Sequence, residues 1–308
     1  MVNYEEISYK KYGKCIKIDN GKIELIITLD IGPRVIRFSE IGGENVFFED
    51  EELRINHDDK KAIYAEKLGE EYGTWATIGG HRLWASPEAL PRTYFVNARS
   101  DYEKIENGVR IKTPVQPWAD LRPEMDIIIS GENTVKTVHR LENCGAWPIE
   151  FAPWAITVMA QGGTEIIPQP KRSTGLLKNR LIALWDYTEM GDERVSWGTN
   201  YIKLRQNPNV KNAFKLGIDS EHGFAMYFNS GNLFVKKFDI VENGSYPDGG
   251  MSFESYTNGD ILEIESLGEI KKVGSGEISE HTEYWSLYGG VDLPETDADI
   301  DKAVKKYV

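Results

Sequence analysis

The chain predicts an all-β protein, a single large antiparallel β-sandwich with one short C-terminal helix. Three observations carry this. Period-two alternation of apolar and polar residues recurs along most of the 308 residues. Turn sequences separate these runs at short spacing: Glu106-Asn107-Gly108, Ser130-Gly131-Glu132-Asn133, Ser230-Gly231-Asn232 and Thr257-Asn258-Gly259-Asp260. The alternation of strand and helix patterns that marks a parallel sheet is missing.

The strands follow in order. Ile23, Leu25 and Ile27 share one face against Lys22, Glu24 and Ile26. The break Asp30-Ile31-Gly32-Pro33 then leads to a strand through Val35, Ile36 and Phe38. A strand over Asn45–Phe48 follows the Gly42-Gly43 turn, and further strands are expected at Tyr94–Arg99, Gly108–Thr113, Met125–Ser130 and Thr134–Leu141. Glu150–Met159, Leu181–Tyr187, Tyr201–Arg205, Gly223–Phe228 and Leu233–Val241 continue the series, and Ser252–Tyr256, Ile261–Leu267 and Glu280–Leu287 complete it. Near the end, Thr296 to Asp299 supplies a cap and first-turn acids. Ile300, Ala303, Val304 and Tyr307 then recur at helical spacing, and Lys305-Lys306 suit the negative helix end. With no internal repeat and no low-complexity linker, residues 1–290 are expected to form one domain, with 291–308 a tail whose helix packs on it.

Composition narrows the function. Hydrophobic residues at 40% and aromatics at 11% suffice for a large core. A net charge of −13 argues against nucleic acid and against an anionic membrane face, both of which select basic patches. A few local cations such as Lys171-Arg172 leave an acidic or phosphorylated small molecule open. Cys15 and Cys144 are too few for a disulfide framework, and the charged N-terminus lacks an apolar leader, so a cytoplasmic protein is expected. No apolar run reaches the length of a membrane span. No His or Cys pair has metal-ligand spacing and no phosphate-cradling glycine loop occurs, so neither a metal nor a cofactor is expected.

Two segments carry side chains suited to chemistry. Gly79-Gly80-His81-Arg82-Leu83-Trp84-Ala85-Ser86-Pro87-Glu88 crowds an imidazole, a guanidinium, an indole and a carboxylate behind paired glycines. Such a set suits a sugar: Arg82 and Glu88 for hydroxyls, Trp84 for C–H faces, His81 for proton transfer. The plainer reading is a bulged edge strand with a buried Trp and an Arg82–Glu88 ion pair. In Leu262-Glu263-Ile264-Glu265-Ser266-Leu267-Gly268, Glu263 and Glu265 share one face of a strand, a placement that fits acid–base or hydroxyl-binding work, or simply a solvated face. Tyr246, Asp248 and Glu254 lie just upstream and suit a cleft rim, although Pro247-Asp248-Gly249-Gly250 also reads as turn chemistry. His139 is expected to be structural, and His57, His222 and His281 lie near turns or polar runs.

Leu29-Asp30-Ile31-Gly32-Pro33-Arg34-Val35, leading to Gly42-Gly43-Glu44-Asn45-Val46-Phe47, resembles the opening of galactose mutarotase-like (aldose 1-epimerase-like) proteins. So do Leu141 to Gly145 with Ala152-Pro153-Trp154-Ala155, and Glu265-Ser266-Leu267-Gly268 followed by Glu283-Tyr284-Trp285-Ser286-Leu287. The resemblance is nearest to bacterial relatives of undefined function that carry Gly-Gly-X-Arg-Leu-Trp. It implies an antiparallel β-supersandwich with a sugar cleft across one sheet. It also implies interconversion of sugar anomers by ring opening, with a Glu taking the anomeric proton and a His protonating the ring oxygen. Glu265 matches the base. Trp154 stands where the acid His is expected, and Ile78 where phosphate-binding relatives have an Arg, so His81 becomes the candidate acid and Trp154 a stacking platform. The alternative is a non-catalytic carbohydrate-binding protein that has lost the acid. The oligomeric state and the identity of the sugar are not specified by these residues.

Overall fold

A computed structural model describes residues 1–52, 55, 76–89, 92–95 and 97–308. Two antiparallel sheets face each other. The first, 11-stranded among the described residues, runs in the order Asn3–Ser8, Lys14–Asp19, Ile23–Thr28, Val35–Glu40, His81–Ser86, Ile149–Met159, Leu262–Leu267, Phe253–Thr257, Phe214–Ile218, Ile182–Leu184, with Lys271–Val273 also pairing Ile149–Met159. The second, 10-stranded, runs Val195–Trp197, Tyr201–Arg205, Thr164–Pro168, Phe224–Asn229, Asn232–Phe238, Ile278–Gly289, Thr134–Asn143, Leu121–Ile129, Gly108–Lys112, Asp101–Ile105. The expected antiparallel β-sandwich is the observed one.

Alternation decides what fills the space between the sheets. Ile23, Leu25 and Ile27 join the main core with Phe38, Ile127, Phe234 and Trp285, while Ile26 packs on the outer side with Ile36 and Tyr12. On the outer face of the second sheet, Ile166, Met226, Phe228, Leu233 and Val235 are covered by the helix Asp297–Tyr307 through Ile300 and Val304. Thr296 caps that helix as its sequence predicts, the hydroxyl accepting from the Asp299 amide at 3.2 Å.

Two expected strands do not form among the described residues. Asn45–Phe48 forms only an isolated bridge, Phe47 to Met159, and the described residues of Tyr94–Arg99 are irregular. Phe47, Tyr94 and Phe95 are nonetheless buried, so their apolar pattern reports packing rather than a ladder. Three strands went unforeseen at sites of consequence: Lys14–Asp19, Thr164–Pro168 and Phe214–Ile218.

The paired glycine does what a missing Cβ permits. Gly79 and Gly80 take φ of +102° and +63°, and a Cβ on either would sit 2.2 Å from the Phe48 carbonyl oxygen or 2.4 Å from that of Val35. The close approach seats His81–Ser86 beside Ile149–Met159 in the middle of the first sheet rather than at an edge.

Candidate active site

The outer face of the first sheet carries a cleft of about 250 Å³ lined by aromatic and charged side chains. Its floor comes from neighbouring strands in register. Trp154 lies opposite Trp84, Ile156 opposite both Arg82 and Glu265, Tyr256 opposite Glu263, and Lys215 opposite Tyr256. Ile55, Thr77, Glu88, Tyr94, Tyr187 and Asn258 add to the walls.

Glu265 is the centre of the floor and is only 1% exposed. Its Oε2 accepts from the Trp154 indole N–H at 2.8 Å and from Lys215 Nζ at 3.1 Å. Its Oε1 has no hydrogen-bond partner among the described residues. Burial, with the charge of Glu263, lifts the carboxyl above its ordinary range, while Lys215 and Trp154 hold it back. Lys215 also pairs with Glu254 at 2.7 Å and lies 4.7 Å and 4.6 Å from the Trp154 and Trp185 rings. Burial, the Glu265 charge and Asp248 raise Glu254 well above the usual carboxylate range, with Lys215 opposing. Arg82 pairs with Glu263 at 2.9 Å and stacks over Trp84 at 4.2 Å, not with Glu88. Glu88, exposed at the rim, accepts from the Tyr94 hydroxyl.

The structure therefore gathers Arg82, Trp84, Glu88, Trp154, Glu263 and Glu265 around one cleft. Glu254 adjoins it through Lys215. Tyr246 and Asp248 lie outside its lining: the Tyr246 hydroxyl accepts from the Val241 amide at 2.8 Å, and Asp248 is exposed in a turn at φ +52°. His81 does not face the cleft. Strand alternation that turns Arg82 and Trp84 outward turns His81 inward, where it is fully buried between the sheets. Among the described residues no imidazole lines the cleft, and His57 lies outside those residues. Trp154 does line it but is 4% exposed, its ring edge-on to Trp84, so it offers an edge and an N–H more than an open platform. Lys215 is the group that the sequence reading missed. Its only local signal is a lysine opposite the inward Phe214, Leu216 and Ile218 of an unforeseen strand.

Behind the floor, inward side chains of both sheets build a buried polar cluster. Lys236 pairs with Glu283 at 2.7 Å and donates to the carbonyls of Ile264 at 3.0 Å and Ala155 at 3.3 Å, on the strands that carry Glu265 and Trp154. Glu283 also accepts from Ser266 and from the Trp285 indole. The His139 Nδ1–H donates to the His281 carbonyl at 3.0 Å. His139 Nε2 is thereby left to accept from His81 Nε2–H at 2.7 Å, and His81 Nδ1 to accept from Thr157 at 2.9 Å. His81, His139 and Glu283 bring metal-type ligand atoms within 4.8 Å of one another, but this hydrogen-bond chain already uses each imidazole nitrogen of the pair. Burial holds His81 far below its ordinary range and lowers His139 and His281 to about 3, so all three stay neutral.

Glu165 completes this layer, accepting from Ser255, and burial pushes its carboxyl to about 8 against an ordinary 4.5. The folded chain thus binds a proton at Glu165 that the unfolded chain releases between pH 4.5 and about 8, so this group's contribution to stability is lost as pH rises through that window. Glu165→Gln is expected to gain stability relative to wild type at pH 8.5, with the gain shrinking toward pH 5. Urea unfolding of both proteins at the two pH values checks it; a difference that does not vary with pH would mean Glu165 is ionised when folded.

Neither a protein-family model nor a curated protein sequence matches the chain. Solved structures do. A protein from Klebsiella pneumoniae subsp. pneumoniae, provisionally called an aldose 1-epimerase, superimposes with a TM-score of 0.61 at 14% identity, over 99% of this chain and 86% of that one. A galactose mutarotase-like protein from Lactobacillus casei gives 0.55 at 8% identity, over 89% and 100%. A TPR-domain containing protein from Parabacteroides distasonis gives 0.57 at 12% identity, and there the match covers 91% of this chain but 48% of the longer one. At these identities the likeness is one of architecture: the chain has the galactose mutarotase-like sandwich fold. No helix among the described residues is long and apolar enough to cross a membrane.

Proposed function

We propose that this protein binds a sugar in the cleft and interconverts its anomers by ring opening, with Glu265 taking the proton from the anomeric hydroxyl. One observation carries the reading: Glu265 is buried on the floor of an aromatic-walled cleft, with one carboxyl oxygen fixed by Trp154 and Lys215 and the other without a partner among the described residues. A buried carboxylate oriented through one oxygen, with the other lacking a hydrogen-bond partner among the described residues, is suited to accept a proton from a bound hydroxyl. Arg82, Glu263 and Asn258 supply hydrogen-bonding groups for hydroxyls, and Trp84, Tyr94 and Tyr256 supply apolar ring surface. The fold neighbours that carry aldose 1-epimerase and mutarotase names support the same reading.

A second reading is a carbohydrate-binding protein without activity, favoured by the inward turn of His81 and the presence of Trp154 where an acid was expected. Polarimetry separates the two. With freshly dissolved α-anomers of D-glucose, D-galactose and related aldoses, the protein is expected to speed approach to equilibrium for at least one sugar that also quenches its tryptophan fluorescence. Quenching with no acceleration above the spontaneous rate leaves the binding reading.

A further inference from the structure

Ring opening needs a proton donor as well as a base, and the cleft floor contains an arrangement suited to one. Glu254 and Glu265 are directly opposed across adjacent antiparallel strands, each 1% exposed, and both bind one ammonium, that of Lys215, at 2.7 and 3.1 Å. Each keeps one oxygen without a partner among the described residues. Two indole rings, of Trp154 and Trp185, close on the ammonium from 4.7 and 4.6 Å. One cation balances one carboxylate, and a second bare carboxylate buried in the same trio is costlier than its protonated form. Glu265 has the better claim to the charge, because it accepts from Trp154 as well as from Lys215. Among the described residues Glu254 accepts from Lys215 alone, and it also meets the like charge of Asp248. The other charged and titratable groups around the trio are Glu263, paired with Arg82, the hydroxyls of Tyr187 and Tyr256, and, behind the floor, Glu165 and Lys236, the latter paired with Glu283.

We propose that Lys215, recharged by Glu254, is the proton donor that works with Glu265, in place of an imidazole. The role rests on the ring-opening reading above. Two N–H groups of Lys215 are committed to the carboxylates, which leaves the third for a ligand in the cleft that Lys215 lines. In an aldose the anomeric hydroxyl and the ring oxygen hang from the same carbon, so the donor and the base must be neighbours, as Lys215 and Glu265 are. Glu265 Oε1 takes the proton of the anomeric hydroxyl while C1 and that oxygen form a carbonyl and the bond from C1 to the ring oxygen breaks. The ring oxygen takes a proton from Lys215 Nζ, and the Glu254 carboxyl proton restores the ammonium. Rotation about C1–C2 and closure on the other face reverse the three transfers. Protons and electron pairs balance with no outside reagent.

Glu254→Gln is the test, because an amide is close in shape to the protonated carboxyl and keeps the fold. The probe is the aldose whose mutarotation the wild type accelerates most. The variant is expected to keep the wild-type fluorescence response to that sugar and its urea midpoint at pH 7, and to lose about 10²–10⁴-fold in rate. Glu254→Asp is expected to restore part of the rate. Infrared difference spectra of the sugar-free proteins report the proton independently: the wild type minus Glu254→Gln should show a carboxylic-acid C=O band at pH 7. A variant with wild-type rate, or a difference spectrum with only carboxylate bands, would overturn the proposal and leave Glu265 as base untouched. A wild type that opens no sugar ring, its acid band present, would sink the ring-opening reading and this role with it.

Discussion

Lys236→Met is expected to cost about 3–5 kcal/mol of folding stability, read as a lowered urea midpoint, with loss of the folded state at elevated temperature. Lys236 is fully buried, and its ammonium satisfies Glu283 and two carbonyls of the opposing sheet, those of Ala155 and Ile264. Burial disfavours that charge and lowers the Lys236 pKa, while Glu283 opposes the effect. Methionine fills similar space but leaves the Glu283 charge with Ser266 and Trp285 as its donors among the described residues. The double variant Lys236→Met/Glu283→Gln should recover much of the loss, because a neutral amide needs no counter-charge. A single variant within about 1 kcal/mol of wild type would show that the pair contributes no net stabilisation across the sheets.

Glu265→Gln is expected to abolish anomer interconversion, a drop of about 10²–10⁴-fold, while leaving the fold and much of the sugar binding intact. The amide oxygen still accepts from Trp154 but takes no proton in the neutral pH range. The charge of the trio is then redistributed: with Glu265 neutralised, Lys215 holds Glu254 as its sole ionised partner, which preserves the buried ion pair. Stability is therefore expected to change little, and a kinetic loss without a matching loss of stability assigns the effect to proton transfer. Unchanged polarimetric rates in this variant would remove Glu265 from the reaction.

Much of the fold was legible because period-two alternation and turn chemistry are local properties. The strand Ile23–Thr28, the hairpins around Asn107-Gly108 and Ser230-Gly231, and the capped helix after Thr296 each follow from residues within a few positions of one another. Glu263 and Glu265 were legible on one face for the same reason, with the apolar Leu262 and Ile264 marking the other as buried. His81–Ser86 offered no such mark. His81 and Leu83 share one face and Arg82 and Trp84 the other, so each side presents a polar and an apolar residue, and all are buried in the folded chain. Alternation alone dictates that His81 and Arg82 oppose each other; only the packing of the second sheet, which brings His139 to His81, decides which of them meets the cleft. The interior polar cluster was illegible because lysine and histidine in a strand read as solvated until the opposing sheet supplies Glu283 and the carbonyls. Lys215 is the sharpest case. Its pairing with Glu265 spans 50 residues of sequence, and nothing within its own strand reports a charge so far along the chain. Local patterning alone encodes a β-sandwich, its helix and the strand face that carries Glu263 and Glu265. The tertiary structure decided which charges meet, because Coulombic pairing and burial depend on distances through space that a strand's own periodicity does not encode.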